Sequence, residues 1–285
     1  GGSGAAATAM TDKKHAARGA FPCRIVCLTA ETTETLYLLG EQHRIAGISG
    51  FTVRPPQARK EKPKVAAFTS AKLDKILELK PDLVLGFSNL QADIAAGLIR
   101  QGLQVHVFNQ RTVGGILEMI QTLGALVGTH EKAAALIERL TAGIETVKRS
   151  AAALPRRPRI YFEEWNDPLI SGIGWVSELI EIAGGVDCFA ELARAPLARD
   201  RMIHDPQEVV RRRPDIIIGS WCGKKFQPSQ VAQRPDWEDV PALRHGHVYE
   251  IKSADILQPG PAALGDGLRQ LHEIIRRWAA SPPHE

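Results

Sequence analysis

Along the chain, short unbroken apolar runs alternate with segments whose apolar residues recur three and four positions apart. From residue 24, "RIVCL" is a β-rich run, "TAETTE" offers hydroxyl and carboxylate caps, and "TLYLLG" closes a helix with Gly40 at its end. Strands are predicted for "IAGIS" at 45–49, "KVAAF" at 64–68, "DLVLGF" after a helix over 72–79, and "VHVFN" after a helix over 91–101. Alternating β and α elements with continuously apolar strands predict a parallel sheet covered on both faces.

The second half repeats this grammar. "KLDKILELKPDLVLGFS" at 72–88 returns as "PQEVVRRRPDIIIGSW" at 206–221. Around it lie a strand "RIYFEEW" at 159–165, a loop "NDPLISGIG", a helix over 175–183 and a strand "HVYEI" at 247–251. Helix-spaced apolar residues fill 113–154, and the part from about 130 to 153 has no proline, enough for roughly 35 Å of helix. "PRRP" at 155–158 ends it, because proline disfavours the α conformation in the residue before it. The expected fold is therefore α/β: two Rossmann-like lobes, 22–127 and 157–281, joined by one long backbone helix at 128–156. A stiff connection predicts a permanent ligand cleft between the lobes.

Composition narrows the class. The 285 residues, 44% hydrophobic and 24% charged, suffice for one large or two modest cores. A net charge of +4 spread along the chain points away from nucleic acid as a partner. No run of about 18 apolar residues predicts a membrane span. The opening "GGSGAAATA" resembles a cloning remnant, and Met10 followed by charged residues predicts a cytoplasmic protein, with a periplasmic one as the alternative if a leader has been removed. Cys23 and Cys27 straddle a predicted strand on one face, as two small buried residues would. No metal ligand set is expected.

Candidate chemistry gathers at the strand exits, where ligands bind in parallel α/β sheets. The residues just past the predicted strands are Phe51, Phe68 and Phe87, then Trp165 and Trp221, with Trp175 in a loop entering a helix on the same side. Flat rings on two lobes suit a large, planar, partly apolar ligand. Arg54, Arg111, Arg201, Lys224, Lys225, Glu163, Glu164 and Asp255 lie at the same edge, and "GSWCGKKF" joins Trp221 to a thiol and two ammonium groups. An enzyme using Cys222, His204, Glu163 or Glu164 is the competing reading. The chain contains no GxSxG, HExxH, phosphate-loop or dinucleotide signature. His204-Asp205 is read as a loop residue and a helix cap, and His245 and His247 as exposed turn residues.

The order "TAETTETLYLLG", "IAGISGFTVRPPQA", "LDKILELKPDLVLG", a long helix, "DPQEVVRRRPDIIIGSW" and "GHVYEI" resembles the helical-backbone (class III) ABC-transporter substrate-binding proteins over residues 22–279, and within them the cobalamin-binding group. The resemblance implies a non-catalytic protein holding a corrinoid or related metal chelate between its lobes, without an intrinsic cofactor. It places Phe51, Phe68 and Phe87 at aromatic cleft positions, Trp165 near another, Asp255 near a polar contact, and Arg201 where a further ring would stand. It also implies one permease-docking carboxylate per lobe, here at Asp74 and at Gln207 with Glu208 adjacent. That departure from the acidic pattern points away from an ABC permease as partner and toward cytosolic capture or delivery. The alternative is the substrate-binding component of an importer for cobalamin, haem or a ferric siderophore.

Overall fold

In the computed structural model, residues 21–67 and 71–283 are described. Phe68 lies outside them. In the first half the apolar runs form β1 (Ile25–Cys27), β2 (Ile45–Ser49), β3 (Lys64–Ala66), β4 (Leu83–Phe87) and β5 (Val105–Phe108), ordered β3-β2-β1-β4-β5 in one sheet. All its pairings are parallel, and Val26, Val84, Leu98 and Ile76 pack together on it. Parallel strands require crossovers, and the helices Ala30–Leu38, Leu73–Glu78 and Ala92–Arg100 supply them.

The helix after β1 starts earlier than predicted. Thr29 is extended and the helix runs from Ala30, so Glu31, Thr32, Thr33 and Glu34 are helical and buried instead of forming a cap. Thr29 Oγ1 donates to Glu31 Oε1 at 2.7 Å, and its oxygen accepts no cap bond from the first turn.

The second-half strands are β6 (Arg159–Asn166), β7 (Leu169–Ser171), β8 (Val186–Asp187), β9 (Met202–Ile203), β10 (Ile216–Gly219) and β11 (Val248–Glu250). This sheet is mixed, which corrects the all-parallel expectation. β6, β10 and β11 run parallel, but β7 is antiparallel to both β6 and β9. The cause is Asp167-Pro168, which turns the chain so that Asn166 faces Leu169 across a hairpin. What reads as a loop in "NDPLISGIG" thus contains a strand.

The chain divides into two compact units, the first comprising residues up to Asn109 with Ile120–Ala135, the second Gln110–Met119 with Leu136 onward. The helices Val113–Leu126 and His130–Ala152 each contribute to both. A final helix, Leu268–Ala280, buries Leu268, Leu271, Ile275 and Trp278 along one stripe. Among the described residues, no helix is long and apolar enough to cross a membrane.

Candidate functional site

Each unit presents its own set of strand exits. In the first, Phe51 follows β2 with its ring 62% exposed, and Arg54 Nε donates to Glu34 Oε2 at 2.6 Å. An open ring therefore stands three residues from a guanidinium held by a buried carboxylate. Phe87 ends β4 but is buried, with its N–H donated to Gln91 Oε1 at 2.7 Å. It supports the sheet end instead of offering a ring to a solute. Deeper at this edge, burial raises the Glu31 carboxyl to about 7, partly opposed by the Thr29 hydroxyl bond, and raises the Cys27 thiol to about 11.

In the second unit, β6 carries two consecutive carboxylates, Glu163 and Glu164, where its pairing with β7 shifts register. Glu163 is fully buried and fully satisfied. Tyr161 Oη (2.8 Å) and Trp221 Nε1 (2.9 Å) donate to it, while Arg234 closes on both oxygens at 2.6 and 3.0 Å. Glu164 accepts from the Ile173 N–H at 2.8 Å and pairs with Arg201 at 3.3 Å. Burial raises its carboxyl to about 7 against the opposing pull of Arg201.

These networks correct three expectations. Trp221 is a buried core ring, fixed by Glu163 and packed edge-on to Phe226 with centroids 4.9 Å apart. Trp175 lies inside the helix Gly174–Ile182, buried, donating to the Ile256 carbonyl at 2.8 Å. Arg201 is buried and committed to Glu164 and to the carbonyls of Ser171 and Ala195. All three shape the edge without opening onto it. Gly219 is required here, since a Cβ would fall 2.0 Å from the Phe226 ring.

What remains accessible is Trp165, half-buried, with its Nε1 on the Asp167 carbonyl and the Lys224 ammonium 4.2 Å from its ring centroid. Lys224 also lies 5.0 Å from the Trp221 ring, so one exposed cation bridges two indoles. Lys225 and His204 are exposed. Asp255 accepts from Gln270 at 3.1 Å, and Arg111 has its pKa lowered by burial and by the neighbouring Arg201 charge. Cys222 is exposed, but burial of its thiol and the Glu164 charge raise its pKa, which keeps it a thiol at neutral pH.

The remaining sequence candidates separate. Asp74 is exposed on its helix. Gln207 donates to the Pro235 carbonyl at 3.1 Å, and Glu208 is drawn into pairs with Arg211 (2.7 Å) and Arg212 (3.0 Å). Glu208 is thus occupied within its own helix. Asp205 caps that helix by accepting the Gln207 N–H at 3.0 Å. His247 is buried, with its Nδ1 2.9 Å from the Tyr249 hydroxyl, not exposed. Cys23 is only half-buried and donates to Asp82 at 3.3 Å; it precedes β1, so strand alternation does not orient it. No three His, Cys, Asp or Glu side chains among the described residues form a group able to hold a metal ion. Arg234 is the residue sequence reasoning missed, and only its separation of 71 residues from Glu163 hid it.

Residues 25–254 match the family model described as "Periplasmic binding protein". Two relatives are an uncharacterized ABC transporter substrate-binding lipoprotein, YvrC, of Bacillus subtilis (23% identical, covering 89% of this chain and 80% of that protein) and a vitamin B12-binding protein of Vibrio campbellii (25% identical, 85% of each). Among solved structures, the periplasmic vitamin B12 binding protein BtuF of Vibrio cholerae superposes with a TM-score of 0.74 at 21% identity, covering 91% of this chain and 99% of that one. At that identity the likeness is one of fold.

Proposed function

The chain belongs to the periplasmic binding protein family, and from that premise we propose that it is the non-catalytic substrate-binding component of an ABC importer for a corrinoid or a related metal chelate. The observation that carries this reading is that strand exits in each unit offer an accessible aromatic surface beside a fixed ion pair: Phe51 near Arg54–Glu34, and Trp165 under Lys224 near Glu164–Arg201. Rings can cover the face of a planar macrocycle, each contributing about 0.5–1.5 kcal/mol beyond area burial, and the cations can meet its polar arms.

The relatives' names support the importer role, since they include an ABC transporter lipoprotein and vitamin B12-binding proteins. The cytosolic placement expected from Met10 finds no support in them, and a location outside the cytoplasmic membrane is the reading carried forward. An enzyme built on Cys222 or Glu163 has little to work with, because the thiol is kept protonated and the carboxylate is saturated with donors.

The test is titration of the purified protein with hydroxocobalamin, cobinamide and haemin, followed by absorbance and calorimetry. Saturable one-to-one binding of a corrinoid, weakened by Trp165→Ala and Phe51→Ala, is expected. Indifference to all three compounds would sink the proposal.

A further inference from the structure

At the amino-terminal ends of β6, β10 and β11, the edge opposite the strand exits, the second unit holds a depression of about 460 Å³ walled by arginines. Arg159 opens β6, and Arg213 and Arg244 stand at the ends of the helices Gln207–Arg212 and Pro241–Arg244. Arg156 comes from the segment after the helix His130–Ala152 and lies 4.4 Å from the Trp278 ring. The two other lining arginines, Arg211 and Arg212, are matched by Asp205, Glu208 and Glu191.

The first four are not matched. Among the described residues, Arg156 and Arg159 bond only to backbone carbonyls (Ser281 at 2.8 Å and Arg212 at 2.9 Å being the shortest), and Arg213 and Arg244 make no ion pair. One carboxylate lines the depression, Asp215, and it accepts the Arg159 backbone N–H at 2.8 Å. His245 and His247 also line it. All four stand at helix C-termini, Arg156 on the last carbonyls of Leu268–Ala280 and Arg159 on that of Gln207–Arg212, so helix dipoles favour each of them, but among the described residues no carboxylate side chain pairs with any of the four. Four guanidiniums without a carboxylate partner around one concavity raise its positive potential, which a bound anion lowers.

We propose that this depression binds a small anion carrying two or more phosphate groups. Guanidinium forks match phosphate oxygens in bidentate geometry, and each terminal phosphate brings about 1.5–2 negative charges into a small volume. The cavity falls within the roughly 300–1,000 Å³ typical of small-molecule sites. The corrinoid reading concerns the other edge of the sheet, so this site stands whether or not that reading does.

Calorimetric titration of the full chain with tripolyphosphate, pyrophosphate and ADP, at a fixed ionic strength of about 0.15 M, tests it. Saturable one-to-one binding of tripolyphosphate is expected, weakened about tenfold or more in the Arg213→Gln, Arg244→Gln double variant. Those side chains are exposed and unpaired, so its melting temperature without ligand should match that of the parent protein. Arg100→Gln, an exposed arginine of the first unit, should leave binding unchanged. ADP binding more tightly than pyrophosphate would assign the ligand a nucleoside, and equal binding would assign the phosphates alone; either supports the site. No saturable binding, equal loss with Arg100→Gln, or binding only to anionic phospholipid vesicles while tripolyphosphate fails would overturn it.

Discussion

Asp215 does in the second unit what Asp82 does in the first. Asp82 accepts the Arg24 N–H at 2.9 Å and Asp215 the Arg159 N–H at 2.8 Å, while Arg24 and Arg159 each return Nε to a carbonyl at the end of the helix before that aspartate, Leu79 at 2.8 Å and Arg212 at 2.9 Å. The residues before the prolines, Lys80 and Arg213, both take left-handed backbone, with φ of 51° and 48°. The "KPD" and "RPD" phrases are therefore one structural device, a turn that ends a helix and ties its exit to the start of the central strand. Removing the carboxylate leaves backbone donors unsatisfied. Asp82→Ala and Asp215→Ala should each cost about 1–3 kcal/mol by urea denaturation, with Asn recovering part of the loss.

Arg234 is the only guanidinium among the described residues bonded to the fully buried Glu163. Arg234→Ala strands a charge in the core and should destabilise by about 3–5 kcal/mol. The double variant Arg234→Met, Glu163→Gln removes both charges and should recover much of that stability. Chemical denaturation of the single and double variants checks the cycle, and equal loss in both would mean that Trp221 and Tyr161 depend on the carboxylate itself.

Much of this architecture is legible in the sequence. The continuous runs at 45–49, 83–87 and 216–219 are strands because they are buried on both faces, and the repeated helix-to-strand phrase marks the two units. The candidate site is legible only by location. Strand exits put Phe87, Trp221 and Phe51 at the right edge, but whether a ring faces solvent or core depends on partners far along the chain. Trp221 is turned inward by Glu163, 58 residues away, and Trp175 by a carbonyl 81 residues away. The β7 hairpin was hidden because its strand is three residues long, too short for alternation to register.

Glu164 and Glu31 predict an unusual pH dependence. Both carboxyls are raised by burial to about 7, from an ordinary value near 4.5. Between those values the folded state binds more protons than the unfolded one, so their contribution is fully present below about pH 4.5 and is lost as pH rises through about 7. Glu164→Gln should flatten that part of the stability profile relative to the parent protein. Urea midpoints measured across this window for both proteins give the answer, and parallel profiles would show that Glu164 stays ionised through its pair with Arg201.

Phe51 and Phe87 separate binding from folding. The two rings lie at strand ends of the same sheet, Phe51 just past β2 and Phe87 as the last residue of β4, but Phe51 is 62% exposed and Phe87 only 6%. Truncating an exposed ring removes little buried area, so Phe51→Ala should leave the melting temperature nearly unchanged. If the ring stacks on a corrinoid, the same change should weaken binding by about 0.5–1.5 kcal/mol, several-fold in Kd. Phe87→Ala opens a cavity at the end of β4 and should cost about 3–5 kcal/mol of stability, lowering affinity only as far as the sheet end shifts. Trp175→Ala should behave like Phe87→Ala, since its indole is packed and bonded within the second unit. Melting curves and hydroxocobalamin titrations on the three variants decide the assignment. Loss of stability in Phe51→Ala would make that ring structural, and unchanged affinity in a well-folded Phe51→Ala would remove it from the ligand surface, leaving Trp165 and Lys224 as the groups to test next.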